Sequence, residues 1–296
     1  MQQLIELFIQ NKKTDIPRLV ALMLRVGTII VLLASVSSAA DLGLIEAAAL
    51  NNNPKKWVIL DSRPRSEWEA GHIPGAIPFF WESYTRTDAA GVKYSSLPPQ
   101  ELAVAFAKLG IDEKIALVVY GDADKSWGSE GYAAWLLTWL GHKGPVRLLN
   151  GGIQSWRTQH LPVTKGQEKP AAAKVRYQLD LTSTYSVSTE DIQRGKERYT
   201  LIDTRSMFEW IRGRIPGAIH IPWEEFYTGT DRHPLPPAEL AKLFARHGVD
   251  TSKPVVYYCL GGVRSAYAWV THQLAGLPDA KNYKGSWAAW EKRSGQ

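Results

Sequence analysis

The chain of 296 residues contains a single cysteine, Cys259. One thiol closes no internal disulfide, and it builds neither a zinc cage of the Cys₄ or Cys₂His₂ type nor an all-cysteine iron–sulfur site. The seven histidines lack ligand spacing such as His-x-x-x-His, so no metal and no cofactor are expected. Basic residues outnumber acidic ones by 35 to 29, a net charge of +6, but they form no Lys/Arg-rich run. A nucleic-acid partner is therefore not expected; the charge reads as a mild attraction for small anions. A composition that is 45% hydrophobic and 22% charged excludes disorder and collagen-like repetition. At roughly 100–150 residues per domain, the length suits two domains.

A full-length membrane span is missing too. The uncharged stretch from Val26 to Ala40 is shorter than the roughly 20 residues a span requires. It follows Lys12, Lys13, Arg18 and Arg25 and ends in Ser38-Ala39-Ala40, which places small residues where signal peptidase cuts. Residues 1–40 are read as an export leader, with a periplasmic destination. Left uncleaved, residues 16–40 would be a membrane tether.

What the chain does have is a repeat. Val58-Ile-Leu-Asp61-Ser-Arg63, Glu67-Trp68 and Gly71-His-Ile-Pro-Gly-Ala-Ile77 recur 142 residues later as Thr200-Leu-Ile-Asp203-Thr-Arg205, Glu209-Trp210 and Gly213-Arg-Ile-Pro-Gly-Ala-Ile219. Further along, Leu97-Pro-Pro99 answers to Leu235-Pro-Pro237, Val118-Val-Tyr120 to Val255-Val-Tyr257, and Tyr132 to Tyr267, with the offset shrinking through loop deletions in the second copy. Short β-rich runs (Tyr199–Ile202, Val255–Tyr258) alternate with amphipathic stretches (Pro237–His247, Ser265–Ala275). This alternation predicts an α/β fold in which each copy is a mainly parallel sheet flanked by helices. The expected organisation is a first domain over residues 41–163, a linker over 164–185 that is polar and rich in Ala, Lys, Gly and Pro at its start, and a second domain over 186–296.

The cysteine stands in Pro254-Val-Val-Tyr-Tyr-Cys259-Leu-Gly-Gly-Val-Arg264-Ser265. A buried strand ending at Cys259, a glycine turn and a helix starting near Arg264 would put the thiol at the carboxyl end of a parallel strand, where open α/β sheets bind ligands. Glycines let several backbone N–H groups converge there, and the helix dipole adds positive potential, so the loop would hold both a thiolate and an anion. The first copy has Gly121-Asp-Ala-Asp-Lys-Ser-Trp-Gly-Ser-Glu130 at the corresponding place, without a cysteine and with three acids. It is read as an inactive partner that shapes the cleft. The repeated Asp-x-Arg and Ile-Pro-Gly-Ala-Ile motifs occur in both copies and are read as architectural. The twelve tryptophans are read as core and interdomain packing.

Two copies of Asp-x-Arg…Glu-Trp…Gly-x-Ile-Pro-Gly-Ala-Ile, with Cys-x-x-Gly-x-Arg-Ser in the second, resemble the tandem rhodaneses, the thiosulfate sulfurtransferase family, over nearly all of residues 41–296. The resemblance implies two rhodanese-like domains, an inactive first and a catalytic second. It implies Cys259 as the persulfide-forming nucleophile and Leu260, Gly261, Gly262, Val263, Arg264 and Ser265 as the anion cradle. The implied activity transfers sulfur from thiosulfate to cyanide or another thiophilic acceptor. A 3-mercaptopyruvate donor is the alternative within enzymes, and a non-catalytic sulfur carrier is the alternative of another class. Cysteine phosphatases place five residues between Cys and Arg, whereas this loop has four, which favours sulfur over phosphate. The loop also departs from the Cys-Gly-Ser-Gly-Val-Thr pattern associated with mercaptopyruvate enzymes. A second substrate arginine of the animal enzymes aligns with Glu209; this acid, like Glu67, is expected to serve the fold, with Arg212, Arg214 or the first domain left to supply the missing cation.

Overall fold

The computed structural model describes residues 41–166, 175–277 and 279–294. The leader and tether expectations fall on residues 1–40 and lie outside the described residues. Among the described residues, no helix is long and apolar enough to cross a membrane.

In the first copy, β1 (Leu42–Ile45), β2 (Val58–Asp61), β3 (Ile77–Pro78), β4 (Leu117–Tyr120) and β5 (Val146–Leu149) form one sheet in the order β1-β5-β4-β2-β3. Every pairing is parallel. In the second copy, β6 (Thr200–Asp203), β7 (Ile219–His220), β8 (Val255–Tyr258) and β9 (Ala280–Asn282) form a parallel sheet in the order β9-β8-β6-β7. The central strands β4 and β8, Leu-Val-Val-Tyr and Val-Val-Tyr-Tyr, are buried along their whole length, as continuous apolar runs covered on both faces must be. Two short antiparallel hairpins, Thr85–Arg86 with Ser95–Ser96 and Tyr227–Thr228 with His233–Pro234, accompany the sheets.

The first copy's helices are α1 (Ala47–Asn52), α2 (Arg65–Ala70), α3 (Pro99–Lys108), α4 (Ser129–Trp139) and α5 (Gly152–Thr158). The second adds α6 (Thr189–Gly195), α7 (Met207–Arg212), α8 (Pro237–His247), α9 (Val263–Leu274) and α10 (Ser286–Ser294). Helix α8 has the predicted bounds: Pro237 sits at its first turn, Gly248 caps its end in the left-handed region (φ 65°), and Leu240, Leu243 and Phe244 face the core.

The copies join through α4 and α9. Every residue of α4 is buried, and the main apolar core runs without a break from Leu60 and Phe106 of the first copy to Tyr257 and Trp269 of the second. Gly131 makes the close approach possible, since a Cβ there would collide with the Tyr267 backbone. The chain crosses between copies along this seam. Tyr177 is buried with His142 and Phe106 of the first copy, Asp180 N–H and Thr182 N–H donate to the carbonyls of Leu140 and Trp139, and Tyr185 packs edge-on to Trp269 of the second.

The structure corrects the register of the repeat. Asp61 pairs with Tyr120 across the first sheet and Asp203 with Tyr258 across the second, so Tyr120 corresponds to Tyr258, not Tyr257. The Gly121 carbonyl accepts Ile153 N–H as the Cys259 carbonyl accepts Trp287 N–H. Gly121 is therefore the counterpart of Cys259. Helices α4 and α9 are both capped by left-handed glycines, Gly128 (φ 73°) and Gly262 (φ 90°), which aligns Glu130 with Arg264 and Trp135 with Trp269, and removes the match of Tyr132 to Tyr267. The Tyr257-Tyr258 doublet made both registers plausible from sequence; only the sheet pairing separates them.

Candidate active site

Strand β8 delivers Cys259 to the carboxyl end of the sheet, and the helix starts earlier than expected, at Val263. The cradle is thus the short turn Cys259–Gly262 followed by the first turn of α9. Cys259 is 2% exposed, and Gly262 N–H donates to its Sγ at 3.1 Å. Burial alone would push the thiol up, but the Arg264 charge and hydrogen bonds from Ser265 and the Gly261 backbone outweigh it and hold the thiol below its ordinary value. Ser265 Oγ lies 3.7 Å from Sγ and 2.6 Å from Asn282 Oδ1. Its single proton goes to the closer oxygen, so the hydroxyl chiefly orients the loop. Asn282 Nδ2 donates to the Gly262 carbonyl at 3.0 Å, and Ser286 Oγ accepts Cys259 N–H at 3.1 Å, which completes the support behind the sulfur.

Above the thiol lies a cavity of about 530 Å³. Cys259, Leu260, Gly261, Val263 and Arg264 line it from the second copy. Gly262 and Ser265 act from beneath. The first copy supplies Trp81, Glu82, Tyr94 and Trp127. Gly261 is required by this junction, because a Cβ there would collide with Tyr94 Cβ.

Arg264 is not the free cation expected from sequence. Its guanidinium binds Glu209 in a bidentate pair at 2.7 and 2.8 Å. Although burial opposes it, this pair brings the Glu209 carboxyl down to about 2, helped by Ser206. Glu209 closes a capping box with Ser206 at the start of α7, so it does serve the fold, but it also lines the cavity. Arg212 and Arg214 are exposed, stacked on Phe208 and Trp210, and neither lines the cavity. The first copy repeats the arrangement with Glu67 paired to Lys125 at 2.6 Å.

Sequence reasoning assigned all tryptophans to packing, yet Trp127 is 59% exposed and stands 6.0 Å from the Arg264 guanidinium. The signal was its place in the longer loop of the cysteine-free copy, seven residues from Gly121 to Gly128 against three from Cys259 to Gly262. In the cysteine-free copy the thiol's space is filled: a Cβ on Gly121 would collide with Glu130 Oε2. The Asp-x-Arg pairs are structural in both copies. Arg63 and Arg205 are buried, bind Asp61 and Asp203 through Nε and Nη2, and reach the carbonyls of Gly71 and Gly213.

The family model for the rhodanese-like domain matches residues 45–159 and again 188–293. The chain belongs to the rhodanese family. This rhodanese is 32% identical over 246 residues to the 3-mercaptopyruvate sulfurtransferase of Homo sapiens, covering 78% of this chain and 80% of the relative. It is 29% identical over 246 residues to the thiosulfate sulfurtransferase of Mus musculus, with the same coverage. Among solved structures, a 3-mercaptopyruvate sulfotransferase of Escherichia coli superposes with a TM-score of 0.71 at 25% identity, covering 82% of this chain and 98% of the other.

Proposed function

We propose that this rhodanese is a sulfurtransferase that carries sulfur as a persulfide on Cys259, with thiosulfate as donor and cyanide or a thiol as acceptor. The observation that carries the reading is the Cys259 sulfur: buried at the end of β8, bonded by Gly262 N–H, and facing a cavity beside Arg264. In the first half-reaction the Cys259 thiolate attacks the outer sulfur of thiosulfate. The donor S–S bond breaks and sulfite leaves with its electron pair. In the second, an acceptor thiolate attacks the outer persulfide sulfur and Cys259 departs as thiolate. The same N–H groups that ionise the nucleophile stabilise this leaving group, so no separate general base is needed.

One observation favours the second donor. Arg264 shares its charge with Glu209, which suits a single carboxylate, as in 3-mercaptopyruvate, better than the double charge of thiosulfate. Intact-mass measurement after exposure to each donor, with kcat/KM for both, tests the reading. A one-sulfur adduct is expected on the native chain and none on Cys259→Ser; an adduct of equal yield on Cys259→Ser refutes the nucleophile. A stable persulfide with slow turnover for every donor supports the carrier alternative.

A further inference from the structure

The cavity holds a carboxylate and aromatic faces that the donor half-reaction does not use. Its charged lining is Glu82, Glu209 and Arg264. Arg264 and Glu209 neutralise one another, whereas the Glu82 carboxylate has no hydrogen bond or ion pair among the described residues. The Cys259 thiolate, and the persulfide that replaces it, carry one more negative charge. Glu82 is exposed, so its charge is screened; it favours a cationic group on the acceptor and leaves the anionic donor to Arg264.

The remaining wall is aromatic. Trp81 and Tyr94 stand 5.9 Å apart with their rings tilted by 54°, and Trp127 presents a face already placed against a guanidinium. Tyr94 and Trp127 hold left-handed backbone, φ 59° and 56°, an uncommon conformation for bulky residues, kept at a cost of about 1 kcal/mol or more each. Both remain exposed, at 37% and 59%, so core packing does not account for their placement. Strained, accessible aromatic faces beside an unpaired carboxylate are the chemistry that holds an ammonium group.

We propose that the sulfur acceptor of this rhodanese is a thiol bearing a cationic ammonium group, held by Glu82 and the faces of Trp81, Tyr94 and Trp127 while its sulfur reaches Cys259. The proposal rests on the persulfide reading above. The acceptor thiolate forms a bond to the outer sulfur of the Cys259 persulfide, the bond from that sulfur to Sγ breaks, and its electron pair returns to Cys259 as thiolate; the product is the acceptor persulfide. The adjoining recess, which shares Tyr94 and Leu260, carries Lys93 and Lys292 against Glu291 and would instead serve an anionic acceptor.

The experiment loads the full chain with thiosulfate, verifies the one-sulfur adduct by intact mass, and follows its discharge. Thiocholine, cysteamine, 2-mercaptoethanol and 3-mercaptopropionate are compared at equal thiolate concentration. Thiocholine and cysteamine are expected to exceed 3-mercaptopropionate in kcat/KM by about tenfold or more. The gap is expected to shrink severalfold in Glu82→Gln and in Trp127→Ala, mainly through KM, and to be largely kept in Trp127→Phe. Equal or better discharge by 3-mercaptopropionate overturns the proposal, as does a gap unmoved by both Glu82→Gln and Trp127→Ala. Failure to form the adduct with thiosulfate or 3-mercaptopyruvate overturns the persulfide reading and this proposal with it, whereas an adduct discharged without preference overturns this proposal alone.

Discussion

Glu130 makes the stability of this rhodanese depend on pH. It stands where the cysteine-bearing copy has Arg264, and its carboxyl occupies the space that a side chain on Gly121 would need. Tyr227 of the second copy donates to Oε1 at 2.9 Å, while the buried Oε2 has no hydrogen-bond partner among the described residues. The adjoining space, about 20 Å³, holds no more than about one water. Burial, with the nearby Asp122 and Asp61 charges, pushes the carboxyl up to about 7 against the hydrogen bond from Tyr227. An acid whose folded value is raised favours folding only while protonated. Below about pH 4.5 both states hold the proton and nothing is lost. Between 4.5 and 7 the unfolded chain releases it first, so stability falls as pH rises, and above about 7 the full loss of about 3 kcal/mol is present. Chemical denaturation of the native chain and of Glu130→Gln between pH 5 and 8 isolates this contribution. The variant's amide leaves a donor unpaired, a cost of about 1–3 kcal/mol that is the same at every pH, so the diagnostic is the slope. The difference between the two chains should change by about 2.5 kcal/mol across the range. Tyr227→Phe, which removes the donor to Oε1, should move the transition to higher pH. Parallel curves for the native chain and Glu130→Gln would refute the reasoning.

Three other outcomes are expected. Glu209→Gln releases Arg264 from its pair, so the KM for thiosulfate should fall about three- to tenfold in steady-state assays; an unchanged or higher KM would mean that Arg264 does not face the donor. Gly261→Ala sets a methyl against Tyr94 Cβ, next to its backbone, and should lower both the melting temperature and, by about tenfold or more, kcat/KM; native values of both would refute the close approach. Asp203→Asn strands the buried Arg205 charge and should cost about 3 kcal/mol or more in urea denaturation, a loss that Lys in place of the exposed Arg212 would not reproduce.

The sequence carried the architecture well because its signals are local. The buried run Val255–Tyr258 and the proline- and glycine-bounded helix Pro237–His247 are found with the bounds that periodicity and capping indicate, and the helix expected over Ser265–Ala275 starts two residues earlier, at Val263, and ends one earlier, at Leu274. Strand β6 runs Thr200–Asp203, one residue later at both ends than Tyr199–Ile202, because an aromatic Tyr199 beside a strand looks like part of it and a charged Asp203 does not. The register of the two copies past Leu97-Pro-Pro99 was less legible, since adjacent tyrosines offer two matches that only hydrogen-bonded neighbours tell apart.

By itself the sequence determined that two copies of one parallel α/β unit exist and that only one can offer a thiol, because repeat spacing, strand–helix alternation and a single Cys259 depend on nothing distant in the chain. Tertiary structure decided the charge and shape around that thiol. The Arg264–Glu209 pair joins residues 55 positions apart, and Trp81, Tyr94 and Trp127 reach the cavity from the other copy. Such contacts follow from α4 packing on α9 at Gly131, a long-range fit between two helix faces that no local pattern encodes.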